Sequence, residues 1–131
     1  MAKKHRQERL GEEIRKLISG MILRELKDPR FTGSMISITD VAVTADNSYA
    51  TCYITVLPLG DSENREVAER AEEDALAGLA SASPMIRRAI GSKMKLYRAP
   101  ELIFKIDRSM EYGRHIDMIL EGLSHDDEGK K

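Results

Sequence analysis

Five basic residues with no acidic residue between them are the side chains best placed to bind a ligand. They lie between positions 76 and 98, a stretch without Asp or Glu, and are Arg87, Arg88, Lys93, Lys95 and Arg98. Guanidinium and ammonium groups gathered in this way can neutralise several phosphates, which makes binding strongly salt-dependent. The pattern indicates a patch for a polyanion. A run of charge on a helix is as often only a solvated surface.

Pro84 comes just before these cations and predicts a break in the helix that carries them. Proline lacks an N–H and its ring clashes with the carbonyl four residues back. Since Ser83 suits an N-cap and Pro84 suits the first position of a new helix, we predict a helix, a kink and a second helix ending near Lys95. The first N–H groups of that second helix would favour an anion. The ordinary alternative is a helix start that binds water or its own cap.

Residues for catalysis or metal binding do not assemble in the sequence. Cys52 falls inside a predicted strand, His5 and His125 lie near the ends, and His115 follows Glu111 by four residues, the spacing of a weak pair on a helix surface. Phosphate-loop and dinucleotide fingerprints are absent, and so are zinc-finger spacings and G-x-x-G. We therefore expect no enzyme, no metal site, no cofactor and no small-molecule substrate.

Composition limits the remaining classes. The chain has 131 residues, 41% hydrophobic and 33% charged, which is enough for one domain, and its 21 basic and 22 acidic residues exclude a histone-like polycation. No apolar run exceeds three residues, so no membrane span is expected. Acidic residues follow Met1 to Lys4 where a signal peptide would be apolar, and one cysteine cannot form an internal disulfide. We expect a cytoplasmic protein.

Periodicity predicts the elements that must position the cations. An apolar stripe at spacings of three and four predicts a first helix from about Gln7 to Lys27, ended by Asp28-Pro29, with a loop to Ser34. Residues rich in Ile, Val, Thr and Tyr predict a hairpin of two strands, Met35 to Val43 and Tyr49 to Leu57, joined at Asp46-Asn47-Ser48. A shift of phase in the first strand suggests a bulge near Asp40.

The second half of the chain alternates helix and strand. An acidic helix is predicted from Ser62 to Ala82, then the kink and the basic helix, then a strand from Pro100 to Asp107. Ser109 would cap a last helix that runs to Leu123. The order is αββααβα. Residues 1–123 form one expected domain, and residues 124–131 an expected disordered tail.

Short motifs in a fixed order resemble the bacterial ribosome-binding factor A family. They are Arg6-Gln-Glu-Arg9, Asp28-Pro29-Arg30, Val41, Asp46, Ala50, Ile86-Arg87, Pro100-Glu101-Leu102, Phe104 and Asp107, and the likeness covers about residues 2–123. The resemblance implies an α+β fold, a KH-like domain of type II with αββααβ and a C-terminal helix, in which helix-kink-helix replaces the GxxG loop. The family centres this kink on Ala-x-Gly, whereas this chain has Ala82-Ser83-Pro84.

The resemblance also implies a function and a binding face. It implies a monomeric, cold-shock-associated assembly factor that binds the immature 30S small ribosomal subunit at its 16S rRNA, aids processing of the rRNA 5′ end and leaves before translation. It would not be a catalyst. The implied RNA-binding residues are Ser81, Ala82, Ser83, Arg87, Arg88, Lys93, Lys95 and Arg98, with Lys3, Lys4, Arg6, Arg9 and Arg30 as secondary candidates.

Two alternatives stay open from the residues alone. The acidic face around Glu63 to Asp74 could dock a basic ribosomal or regulatory protein, and RNase treatment would separate this model from RNA binding. A small hydrolase acting on RNA would need a base and a metal or nucleophile that the sequence does not supply. If Arg87 and Arg88 bind RNA at the kink, replacing both by Glu should weaken binding without changing the thermal unfolding midpoint.

Overall fold

Three strands and two long helices make up the fold in the computed structural model, which describes residues 2–60, 64–96 and 98–109, with side chains from Arg6 onward. The elements follow one another as helix, hairpin, helix and strand. They are α1 (Ala2–Arg24), a 3₁₀ turn (Pro29–Phe31), β1 (Ser34–Val43), β2 (Tyr49–Pro58), α2 (Arg65–Met94) and β3 (Glu101–Ile106). The predicted α+β class is confirmed.

The sheet has the order β1-β2-β3, with β1 antiparallel and β3 parallel to the central strand. The predicted hairpin and bulge are both confirmed. Asp46 accepts hydrogen bonds from the Thr44 hydroxyl and the Ser48 N–H, and Asn47 takes a positive φ of 61°, which closes the turn. The register of β1 against β2 shifts between Ile38 and Asp40, where the sequence predicts the bulge.

The hydrophobic core lies between one face of the sheet and the two helices. Inward residues of β2 alternate with outward ones as predicted, and Ala50, Cys52 and Ile54 are fully buried. They pack with residues of both helices, such as Ile14 and Leu79. Because α1 packs over β1 and α2 over β2 and β3, both helices cover this face. The opposite face keeps exposed side chains.

Glycine allows α1 to approach the sheet closely. A Cβ at Gly11 would lie well inside contact distance of the Val41 carbonyl, so a side chain at this position would push α1 away from β1. Gln7, one turn earlier, donates from Nε2 to the Thr44 carbonyl and to Asn47 Oδ1. The first helix is thus fixed to both the bulge region and the hairpin turn.

The boundaries of α1 differ from those predicted. The helix already begins at Ala2 and ends at Arg24, three residues before Lys27. The N–H groups of Glu25 and Leu26 both donate to the Met21 carbonyl, at 2.7 and 2.8 Å, which closes the last turn. The segment predicted as a loop contains the short 3₁₀ turn, because Asp28 caps it and Pro29 suits its first position.

The prediction that a second helix begins at Pro84 is wrong, because α2 is one helix of 30 residues with Pro84 inside it. Asn64 caps its start, and Lys95, in the left-handed conformation, caps its end. Ser83 does not cap a new helix: its hydroxyl donates to the Leu79 carbonyl within α2, at 3.3 Å. Pro84 has no N–H to donate to the Ala80 carbonyl, so the helix lacks this one hydrogen bond.

Burial explains why α2 continues through the proline. An interior proline costs about 3 kcal/mol. The buried side chains Leu79, Ile86 and Ile90 flank it on the inner face and each contributes roughly 1.5–3 kcal/mol when removed from water. Packing on both sides of Pro84 therefore outweighs the local penalty.

The chain after β3 is described only to Ser109. Asp107 accepts hydrogen bonds from the Ser109 N–H at 2.9 Å and from the Thr39 hydroxyl at 2.6 Å. The N–H groups that Ser109 would cap in the predicted last helix lie outside the described residues. The predicted last helix to Leu123 and the tail 124–131 lie outside the described residues. Within the described ranges, no helix is long and apolar enough to cross a membrane.

Candidate nucleic-acid interface

The second half of α2 presents one exposed stripe. Ser81, Pro84, Arg88 and Lys95 recur at helical spacing and are all exposed, on the side of the helix opposite the buried residues Ile86 and Ile90. Arg98, in the segment between α2 and β3, and Lys93 are also exposed. The structure therefore offers several solvent-facing cations on and just after one helix.

The predicted RNA-binding set divides into two groups. Ser81, Arg88, Lys93, Lys95 and Arg98 are exposed, whereas Ala82, Ser83 and Arg87 are half-buried. Ala82 packs against the hydrophobic core, and the Ser83 hydroxyl is bonded within α2. Of the predicted contacts, the exposed group is the one that a polyanion could reach directly.

Arg87 is a structural residue in this arrangement. Its Nε donates to the Pro100 carbonyl and its Nη2 to the Ala99 carbonyl, both at 3.1 Å. These bonds tie α2 to the segment that leads into β3. From these bonds we expect Arg87→Glu to lower the unfolding midpoint, because a carboxylate would repel the two carbonyls, so an unchanged midpoint is expected for Arg88→Glu alone.

The predicted anion site at a helix start also needs correction. Because α2 is continuous, the N–H groups that follow Pro84 lie inside the helix rather than at an open N-terminus. They do not form the free amide cluster that favours phosphate at a helix start. Attraction for an anion here must come from the side chains.

The secondary candidates differ in how free their charges are. Arg6 and Arg9 are exposed on α1, while the side chains of Lys3 and Lys4 lie outside the described part of the chain. Arg30 donates to both oxygens of Asp28, at 2.9 and 2.6 Å, and its own N–H donates to the same carboxylate. These bonds lower the pKa of Asp28 to about 2. Arg30 is thus held by the turn that Asp28 caps.

Charge is segregated along α2. All acids of α2 lie in its first half, where Glu66, Glu69, Glu73 and Asp74 are exposed beside Arg65 and Arg70, and the second half carries only cations. This arrangement complements the helix dipole, which favours acids near the N-terminus and bases near the C-terminus. Glu72 also receives a hydrogen bond from Arg108 Nη2, at 3.2 Å. Part of the charge pattern therefore has a structural explanation.

A cavity that the sequence did not predict lies beside the basic end of α2. It has a volume of about 480 Å³, and its lining includes Tyr49, Arg87, Arg98 and Glu101. Parallel pairing of β2 with β3 places Tyr49 opposite Glu101. The sequence signal for this cavity was a tyrosine at the start of a predicted strand. The sequence did not predict that β3 pairs with this strand and places Glu101 beside the tyrosine.

Chemistry other than binding finds little support among the described residues. None of their His, Cys, Asp and Glu side chains form a group of three or more that could hold a metal ion. Cys52 is fully buried, and this burial raises the pKa of its thiol to about 12, so it is a poor nucleophile at neutral pH.

Comparisons with known proteins agree with the geometry. The family model described as "Ribosome-binding factor A" matches residues 6–120. The ribosome-binding factor A of Clostridioides difficile is 44% identical over 124 residues, covering 95% of this chain and 89% of the relative. That of Geobacter sulfurreducens is 45% identical over 119 residues, covering 91% and 92%.

Solved structures show the same fold. The crystal structure of ribosome-binding factor A from Thermus thermophilus aligns with a TM-score of 0.62 at 23% identity, covering 79% of this chain and 97% of that one. A Thermus thermophilus homology model fitted into the cryo-EM map of a 30S complex aligns with a TM-score of 0.57 at 20% identity, covering 78% and 96%. With a sheet covered on one face by two helices and a family match over most of its length, the chain belongs to the ribosome-binding factor A family and has its KH-like fold.

Proposed function

We propose that this protein associates with the immature 30S small ribosomal subunit, binds its 16S rRNA mainly through phosphates, and assists late maturation, including processing of the rRNA 5′ end and growth in the cold. The observation that carries the proposal is the exposed stripe along α2, with Arg88 on the helix, Lys95 at its C-cap and Arg98 just after it. A homology model of the Thermus thermophilus relative has been fitted into the cryo-EM map of a 30S complex, which supports the same class of partner.

Phosphate binding by these cations needs no catalysis. Each phosphate neutralised steepens the dependence of log K on log salt by about 0.7 to 0.9. Two engaged cations, Arg88 and Lys95, thus correspond to a slope of roughly −1.4 to −1.8. By binding one rRNA arrangement more tightly than another, the protein would shift the equilibrium by its difference in affinity alone. This role fits a monomer that acts in the cytoplasm, where small subunits are assembled.

Arg87 has an indirect part in this proposal. Its bonds to Ala99 and Pro100 hold the segment that carries Arg98. We therefore assign Arg87 as a positioning residue, with Arg88, Lys95 and Arg98 as the direct contacts. Ala82 and Ser83 support the stripe from the half-buried side of α2.

The test is a pair of matched charge reversals on the same helix. Arg88→Glu with Lys95→Glu should abolish co-sedimentation with small-subunit precursors, and wild-type binding should weaken steeply between low and physiological salt. Arg65→Glu with Arg70→Glu changes the same number of exposed charges in the acidic half and should leave association unchanged. Equal association by the two double variants would contradict the proposal.

The second candidate is docking of a basic ribosomal or regulatory protein on the acidic half of α2. It is favoured by the exposed carboxylates of Glu66, Glu69 and Glu73. RNase treatment of the precursor complex separates the two, because protein docking survives loss of RNA. Glu69→Lys with Glu73→Lys should then disrupt association only if this second candidate is correct.

A further inference from the structure

The cavity beside the basic end of α2 has the size of a binding site for a small group. It lies between the β1–β2 turn and the segment that enters β3, and its volume is about 480 Å³. Pockets for small ligands span roughly 300–1,000 Å³. Its chemically active lining residues are Asp46, Asn47, Tyr49, Arg87, Arg98 and Glu101.

The walls of this cavity are fixed by hydrogen bonds. The Glu101 N–H donates to the Ser48 carbonyl at 2.9 Å, which joins the start of β3 to the hairpin turn. Gln7 holds the side chain of Asn47 at 2.6 Å, and Arg87 holds the segment before β3. Because three separate elements meet here through defined bonds, the cavity exists before any ligand arrives, which reduces the cost of ordering on binding.

Tyr49 gives the cavity an open aromatic surface. Its exposed fraction is 45%, whereas Tyr53, Phe31 and Phe104 are half-buried. It is therefore the most exposed ring among the described residues. Aromatic rings in such positions stack on unpaired nucleobases, since every base has an apolar face of matching size.

The charges around the ring balance one another. Two guanidinium groups, Arg87 and Arg98, line the cavity together with two carboxylates, Asp46 and Glu101. Asp46 already accepts bonds within the turn, and Arg87 already donates to two carbonyls. The pair left to meet a ligand is Arg98 and Glu101, one donor and one acceptor. Such a lining suits a neutral polar group better than a phosphate, which the carboxylates would repel.

Among the four RNA bases, guanine matches this pair. Its pairing edge carries two adjacent donors, N1–H and the 2-amino group, which a carboxylate can accept together, and arginine is the common donor to guanine O6 and N7. We propose that this cavity binds one unpaired guanine of the rRNA, stacked on Tyr49, with its pairing edge on Glu101 and its O6 side toward Arg98. The inference rests on the proposed RNA-binding function and adds base recognition to phosphate binding.

Short RNA probes test this directly. Fluorescein-labelled ten-nucleotide oligouridines carrying one central guanine, adenine or inosine are titrated with the protein and followed by anisotropy. The guanine probe should bind about 10-fold more tightly than the adenine probe. Inosine lacks the 2-amino group and should lose most of that advantage.

Three variants assign the preference to the cavity. Glu101→Gln should remove the difference between guanine and adenine, because an amide presents only one acceptor oxygen. Tyr49→Ala should weaken binding of every probe about 5- to 10-fold, and Tyr49→Phe, which keeps the ring, should bind like wild type. Melting curves confirm that each variant folds.

The inference is overturned if the guanine and adenine probes bind alike, if neither binds, or if Glu101→Gln keeps the preference. Such results would not contradict the proposed function. That function is supported separately if the wild-type protein co-sediments with small-subunit precursors and the double variant Arg88→Glu, Lys95→Glu does not. Loss of association by the wild-type protein would instead overturn the proposed function.

Discussion

Replacing Arg87 by methionine tests whether this residue holds the fold or contacts RNA. Methionine keeps the unbranched stem that packs along α2 and removes both donors to the Ala99 and Pro100 carbonyls. A hydrogen bond from a charged donor contributes about 1.5–3 kcal/mol in net terms. Since the site is only half-buried, we take the lower end for each bond and expect a loss of about 2–4 kcal/mol.

That loss is large enough to measure by circular dichroism. For a domain of this size, 1 kcal/mol shifts the midpoint by about 3–5 °C, so Arg87→Met should melt roughly 6–20 °C below wild type. Arg88→Met is the matched control and should change the midpoint by little more than about 1–2 °C, because its side chain is exposed. If Arg87→Met melts like wild type yet loses precursor binding, Arg87 contacts RNA directly and the assignment as a structural residue is refuted.

Three further predictions concern the turn after α1, the core and the helix-sheet contact. Asp28→Asn should be less stable than wild type at pH 7. Because the folded-state pKa is lowered from 3.8 to about 2, Asp28 stabilises the fold above the unfolded pKa, and melts should show the two proteins converging as the pH falls towards 2. The Cys52 thiol should resist an aromatic disulfide reagent at pH 8 in the native protein and react at once in denaturant, because burial raises its pKa to about 12; rapid native reaction would contradict the buried assignment. In a denaturant titration, Gly11→Ala should lower the free energy of unfolding by about 1–3 kcal/mol, because its Cβ would contact the Val41 carbonyl. Gly91→Ala is the control: its Cβ would meet nothing within 4 Å, so it should stabilise α2 slightly.

Local pattern was enough to predict the hairpin, its bulge and the inward face of β2. In each case the information lies in neighbouring residues: alternation sets the faces of β2, and the shift of apolar phase between Ile38 and Val41 marks the extra residue. The stripe of α1 could be read for the same reason, although its exact ends could not. These are features that a few consecutive residues determine.

Features that depend on distant parts of the chain could not be predicted. The rule that proline ends a helix is local, and burial of residues on either side of Pro84 against the sheet overrides it. A charge pattern shows that Arg87 is basic but not that it reaches carbonyls at positions 99 and 100. The cavity needs Tyr49 and Glu101 side by side, which follows only from the parallel pairing of β2 and β3.

The mixed sheet has a kinetic consequence. The hairpin joins residues that are near in sequence, whereas β3 pairs with β2 across a crossover that contains α2, between positions 58 and 101. Loops of that length close late, so the docking of β3 is expected to follow the folding transition state. Loss of the Arg87 bonds would then leave the refolding rate almost unchanged and increase the unfolding rate. Among the described strands, β3 is therefore expected to separate from the sheet first during unfolding.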